Sequence, residues 1–302
     1  MRPIVASIVF SALLSGPAFA KPREVRRLQP AGKWVLNYAD ESCQLVRDFG
    51  TGDQKVTLVL YQLEPGDWFK LTLLGSSLKP ARLYRPFTGR MQFGPAEADT
   101  EITVTTGTSG SELVLMLDAT QRLAPLSEAE KELHQSAKRN NTYYQPAPIG
   151  SEREKAATWL ALSKVMKFDL VFETGPMDAA MAALRDCTWD LVDSWGLDVA
   201  QQKALTRKAY AAVSTARWFR PEDYPMSMIR SDSEGIVNAR LLIDASGKPE
   251  SCNIQSSTRP KEFDAVVCDI LMKRSKFHPA LDAQGQPVRS YYQITTVFRL
   301  AY

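Results

Sequence analysis

Residues 55–61 read Lys-Val-Thr-Leu-Val-Leu-Tyr, so Val56, Leu58 and Leu60 fall on one side of an extended chain. Residues 68–74 alternate in the same way, with Phe69, Leu71 and Leu73 opposite Trp68, Lys70, Thr72 and Leu74. Between them Glu64-Pro65-Gly66-Asp67 is a turn, because Pro presets φ and Gly permits a positive one. The pattern predicts a β-hairpin. Residues 101–106 and 112–118 predict a second, joined through Gly107-Thr108-Ser109-Gly110. Short strands at this spacing across residues 34–117 suggest a sandwich or a partly closed barrel.

The period then lengthens. Ser127 followed by Glu128 and Glu130 is a helix start, and the helix should run to about Lys138. Residues 143–150, with Pro146 and Pro148, read as a loop, and residues 168–173 as a strand. Met177, Met181, Leu184, Cys187, Leu191 and Trp195 recur at helical spacing before Gly196, a natural C-cap. Asp186, Asp190 and Asp193 fall on the opposite, solvated side. A further helix is expected over residues 199–216, and a domain boundary near residues 215–223.

Beyond that boundary the two-residue period returns. Val237, Ala239, Leu241 and Ile243 share one face, and Asn238, Arg240 and Asp244 the other. Ala245-Ser246-Gly247-Lys248 closes a hairpin onto a return strand carrying Cys252 and Ile254. Phe263, Val266, Val267, Ile270 and Leu271 form the inner stripe of a helix. In the last strand Tyr292, Ile294, Thr296 and Phe298 alternate with Tyr291, Gln293, Thr295 and Val297. The order is ββαβ.

Composition adds an address. Arg2, the apolar stretch over 4–14 and Ala18-Phe19-Ala20 before Lys21 read as a cleavable signal peptide at residues 1–20. No later stretch suits a transmembrane helix, so the mature chain is expected to be soluble and periplasmic. The 37 basic and 34 acidic residues are interspersed, without the basic stripe of a nucleic-acid binder. Four cysteines in an exported chain favour disulfides. Cys252 and Cys268 sit on neighbouring elements of one small unit, which leaves Cys43 for Cys187. No C-x-x-C pair exists and neither histidine is spaced with a cysteine as zinc requires, so neither metal nor cofactor is expected.

Catalytic patterns are equally thin. There is no G-x-S-x-G elbow, H-E-x-x-H or phosphate-cradling glycine loop. Glu173-Thr174-Gly175 has a passing likeness to an aspartic-protease triplet, without the second carboxylate that chemistry needs. His134 and His278 read as surface or packing residues. The Trp189–Trp195 and Trp218–Phe219 clusters read as core or interface packing before ligand platform. The chain reads as a non-enzyme.

Tyr224-Pro225, Glu234-Gly235-x-Val237, Asp244-x-x-Gly247, Phe277-x-Pro279-Ala280, Gly285-x-Pro287-Val288 and the alternation through Val297, Phe298 and Leu300 occur in order. In this order they resemble the C-terminal domain of the TonB family, over about residues 221–302. No stretch of the sequence reads as the membrane anchor or the Pro-rich spacer of that family. The periodicities give a β-rich domain with added helices at 21–215, of no recognisable family, and the resemblance implies a TonB-like ββαβ domain after it, so the chain is expected to be α+β. It also implies that the final strand pairs with an extended segment of an envelope or outer-membrane transport protein, through Tyr291, Tyr292, Gln293, Ile294, Thr295 and Val297. Three alternatives remain open at this point. The N-terminal domain could cover that edge, it could hold a periplasmic hydrolase site, or the whole could be a structural envelope protein.

Overall fold

Wherever the two-residue period is strong, the chain is extended and paired. The computed structural model describes residues 23–83, 85–258 and 261–300; the expected signal peptide at 1–20 lies outside the described residues. The N-terminal strands are β1 (Val25–Leu28), β2 (Val35–Ala39), β3 (Ser42–Phe49), β4 (Val56–Gln62), β5 (Lys70–Gly75), β6 (Phe87–Phe93), β7 (Thr100–Ser109), β8 (Glu112–Leu117), β9 (Leu160–Ser163) and β10 (Asp169–Phe172). They form one sheet in the order β1-β10-β9-β6-β7-β8-β5-β4-β3-β2. Both expected hairpins are present, β4 with β5 and β7 with β8. The second turn is tighter than expected: Gly107, Thr108 and Ser109 stay in the ladder and Gly110 takes the positive φ of 59°.

This sheet curls until its ends meet. Past β1 the chain bridges Pro30 to Phe49 on β3, through Gly50 N–H to Gln29 O and Ala31 N–H to Asp48 O, both 2.8 Å. The result is a partly closed barrel. Leu58, Leu60, Leu71, Leu73, Val104, Leu115, Leu160 and Phe172 are all fully buried in its core.

Four helices follow the barrel strands or interrupt them: α1 (Glu128–Asn140), α2 (Ser151–Ala156), α3 (Asp178–Ser194) and α4 (Val199–Lys203). Ser127 and Glu130 cap α1 reciprocally, each side chain accepting from the other's backbone N–H. The periodic face of α3 is buried against β2 and β3, where Cys187 is bonded to Cys43, and Asp186, Asp190 and Asp193 are exposed.

The helix expected over 199–216 ends at Lys203. Beyond it Thr206 and Arg207 bond to Leu281, and β11 (Tyr210–Ala211) pairs with β14 (Phe277–His278). Strand pairing and burial of Ala209, Ala211 and Trp218 in the C-terminal core outweigh local helix propensity.

The C-terminal unit adds α5 (Met226–Arg230), β12 (Gly235–Ile243), β13 (Pro249–Ser257), α6 (Lys261–Arg274), a small hairpin of β15 (Ala280–Leu281) and β16 (Pro287–Val288), and β17 (Ser290–Phe298). Its sheet runs β13-β12-β17, all antiparallel. Val237, Ala239, Leu241 and Ile243 pack beneath Phe263, Val267, Ile270 and Leu271 of α6. Cys252 is bonded to Cys268 across that seam. Gly247 has φ +84° and sits so close to β14 that a Cβ there would stand 2.1 Å from the Phe277 carbonyl oxygen.

The polar face of β12 is not solvated. Asn238 and Arg240 are 3% and 4% exposed because the barrel unit covers them. Lys70 Nζ donates to Asn238 Oδ1 at 2.8 Å, and Arg240 pairs with Glu41 at 2.9 Å beneath the Trp195 ring. Gln255 Nε2 donates to Leu63 O, while Leu242 and Tyr291 join the barrel's own core. Helix α6 and the barrel thus cover the two faces of this sheet.

Candidate functional site

With both faces covered, the sheet can still offer its edges. β17 is an edge strand. It pairs with β12 at every position from Gly235↔Phe298 to Ile243↔Ser290, without a register shift. Neighbouring residues of a strand turn their N–H and C=O groups to opposite sides. Ile236 exchanges bonds with Thr258, and Asp244 N–H reaches Lys248 O, so these residues of β12 face the β13 side. Gly235, Val237, Ala239, Leu241 and Ile243 therefore face β17, bonding Phe298, Thr296, Ile294, Tyr292 and Ser290. The backbone groups of Tyr291, Gln293, Thr295 and Val297 point outward. Among the described residues none of these outward groups has a hydrogen-bond partner.

One end of the rim is closed. Gln202 of α4 donates to Arg289 O at 2.9 Å and accepts from Ser290 Oγ at 2.6 Å. Arg289 also bonds Gly196 O and Glu250. Free acceptors begin at Tyr291.

The six residues expected to bind a partner are divided by the strand's pleat. Tyr292 and Ile294 pack into the C-terminal core, whereas Tyr291 is buried edge-on against Trp195 with ring centroids 5.1 Å apart. Thr295 and Val297 are exposed, and Thr295 Oγ1 donates to Asn238 Oδ1 at 2.7 Å. Tyr291, Tyr292 and Gln293 line a cleft of about 620 Å³ between β17 and the segment leaving α1. Its far wall is Tyr143, Tyr144 and Tyr210, with Lys208 beside them and Glu64 below. A second chamber of about 400 Å³ shares Glu64, His134, Tyr143, Tyr144 and Lys208 and continues towards Trp68 and Trp189.

Electrostatics mark the floor. Glu64 is half-buried, and burial raises its carboxyl pKa despite the opposing charge of Lys208. The Tyr291 hydroxyl is buried without a hydrogen-bond partner; burial first, then the Glu64 charge, lifts its pKa far above that of a free tyrosine. The same two causes push Tyr292 up to about 12. Burial lowers His134, helped by Lys138.

Sequence reasoning missed the cleft's far wall. Tyr143-Tyr144 was visible as an aromatic pair inside a proline-bearing loop, and Glu64 as a turn residue. Their meeting with β17 depends on packing between units. The other candidate residues serve structure. His278 stacks on Tyr210 at 4.6 Å, His134 lies edge-on to Tyr144, and Trp218 packs against Phe277. Glu173 is held by Arg27. Among the described residues no three His, Cys, Asp or Glu side chains converge as a metal site would require, and no helix is long and apolar enough to cross a membrane.

Comparison with known proteins agrees with the ββαβ geometry. Residues 220–300 match the family model of the Gram-negative bacterial TonB protein C-terminal. No curated protein and no solved structure gives a significant match. Residues 220–300, with their β13-β12-β17 sheet and covering helix, belong to the TonB C-terminal family.

Proposed function

We propose that this protein captures an extended segment of an envelope or outer-membrane transport protein, which adds as a fourth strand beside β17. The observation that carries this reading is the outward row of unpartnered backbone groups at Tyr291, Gln293, Thr295 and Val297, on a sheet whose two faces are covered. Strand addition takes affinity from such groups and selectivity from neighbouring side-chain pockets. The family match supports a transport-linked protein interaction, and two disulfides suit an oxidising envelope compartment reached through the signal peptide. No catalytic constellation among the described residues recommends a hydrolase.

The test compares two adjacent prolines. Val297 turns its N–H outward, so Val297→Pro should leave the β12 ladder intact and abolish binding of periplasmic-facing transporter peptides in calorimetric titration. Thr296 turns its N–H to β12, and Thr296→Pro should instead lower Tm sharply. Unchanged peptide binding by a folded Val297→Pro protein would sink the edge reading.

A further inference from the structure

A strand lying beside β17 must place alternate side chains on the barrel side of the sheet, above Glu64 and the Tyr291 hydroxyl. Among the described residues the Glu64 carboxylate makes neither a hydrogen bond nor an ion pair; Lys208 is felt electrostatically but stands outside contact distance. The Tyr291 hydroxyl, on a residue only 5% exposed, is likewise unpartnered. Leaving the buried hydroxyl unmatched is costly, and protein interiors normally satisfy such a group, whereas the half-buried Glu64 carboxylate still reaches the solvent of the cleft. Two acceptor-bearing groups therefore lie together at the bottom of a walled cleft whose open side is the proposed docking edge.

We propose that the cleft floor formed by Glu64 and Tyr291 is a receptor for one lysine or arginine side chain of the docked strand. This rests on the strand-addition reading and narrows the partner to an extended segment with a basic residue facing the barrel. A Lys ammonium or Arg guanidinium has only donors to offer, which suits a carboxylate and a hydroxyl oxygen. The aliphatic stem would run past Tyr143, whose ring favours a cation passing over it. Burial raises the Glu64 pKa, as expected of a carboxylate waiting for its counter-charge. Lys138 and Lys208 at the cleft wall would attract an acidic segment instead, and the experiment must separate the two.

The probe is a set of acetylated, amidated seven-residue peptides of alternating valine and threonine. One position at a time is replaced by lysine, norleucine or glutamate, and each peptide is titrated into the intact protein, into Glu64→Gln and into Val297→Pro. At one position, lysine should bind about tenfold tighter than norleucine, as a single charge-assisted hydrogen bond allows. Glu64→Gln should erase that gap without weakening the norleucine peptide and without lowering Tm. If binding depends on Val297 yet lysine gains nothing over norleucine, glutamate binds best, or Glu64→Gln weakens all peptides alike, this receptor is wrong and edge docking survives. If no peptide binds below millimolar concentration, both readings fall together.

Discussion

Replacing Lys70 by methionine isolates the cost of burying an ammonium group between the two units. Lys70 is 9% exposed, and its described partner is the neutral Asn238 amide, 2.8 Å away; no carboxylate among the described residues is within ion-pair distance. Burial pulls its pKa down from 10.5 to about 8. Below pH 8 folded and unfolded chains both carry the charge, and the folded state bears the full penalty of about 3 kcal/mol. Between pH 8 and 10.5 the unfolded chain holds a proton the folded chain has shed, so stability climbs with pH. Linkage gives a gain of about 1.4 kcal/mol by pH 9 and about 2.5 kcal/mol by pH 10. Lys70→Met keeps the stem's volume and removes this term. Asn238 keeps its bonds to Thr295 and Ser256, so the variant strands no polar atom. Urea denaturation of both proteins at pH 7, 8, 9 and 10, with disulfides intact, should show the variant at least as stable at pH 7. That advantage should shrink steadily to pH 10. Tyrosine ionisation affects both proteins alike and cancels in the difference. Parallel stability curves would refute a charged, desolvated Lys70.

Gly247→Ala places a methyl group against the Phe277 carbonyl and forces a positive φ on alanine; a Tm drop equivalent to roughly 2 kcal/mol or more is expected, with the barrel's hairpins retained in hydrogen exchange. The two disulfides should differ in weight. In the chain-entropy model, replacing Cys252 and Cys268 by alanine, a separation of 16 residues, costs about 3 kcal/mol. Replacing Cys43 and Cys187, separated by 144, costs nearer 5 kcal/mol by the same logarithm, and equal losses in denaturant titrations would contradict it.

Local rules made much of this fold readable. The Val56, Leu58, Leu60 alternation, the Ser127 helix start, the α3 stripe and the Cys252–Cys268 pairing follow from residues close in sequence, and Cys43–Cys187 follows from that pairing by elimination. What stayed hidden depends on contacts between distant segments. A two-residue period separates Asn238 and Arg240 from Val237 and Leu241, but it cannot say that another unit will cover the polar set as well. Residues 204–211 carry helix-compatible side chains, yet pairing with Leu281 and Phe277 draws them straight. The candidate strand was visible as an edge, while the cleft beside it required Glu64, Tyr143 and Tyr291 to meet from three places in the chain.

The Gln202 amide on the Arg289 carbonyl has a consequence for alignment. A strand shifted by one residue presents every side chain to the wrong face. By occupying the acceptor just before Tyr291, Gln202 acts as a buffer stop: a visiting chain cannot slide past it and must start its pairing from there. The stop, more than any single pocket, would decide which residue of the visitor looks down at the barrel.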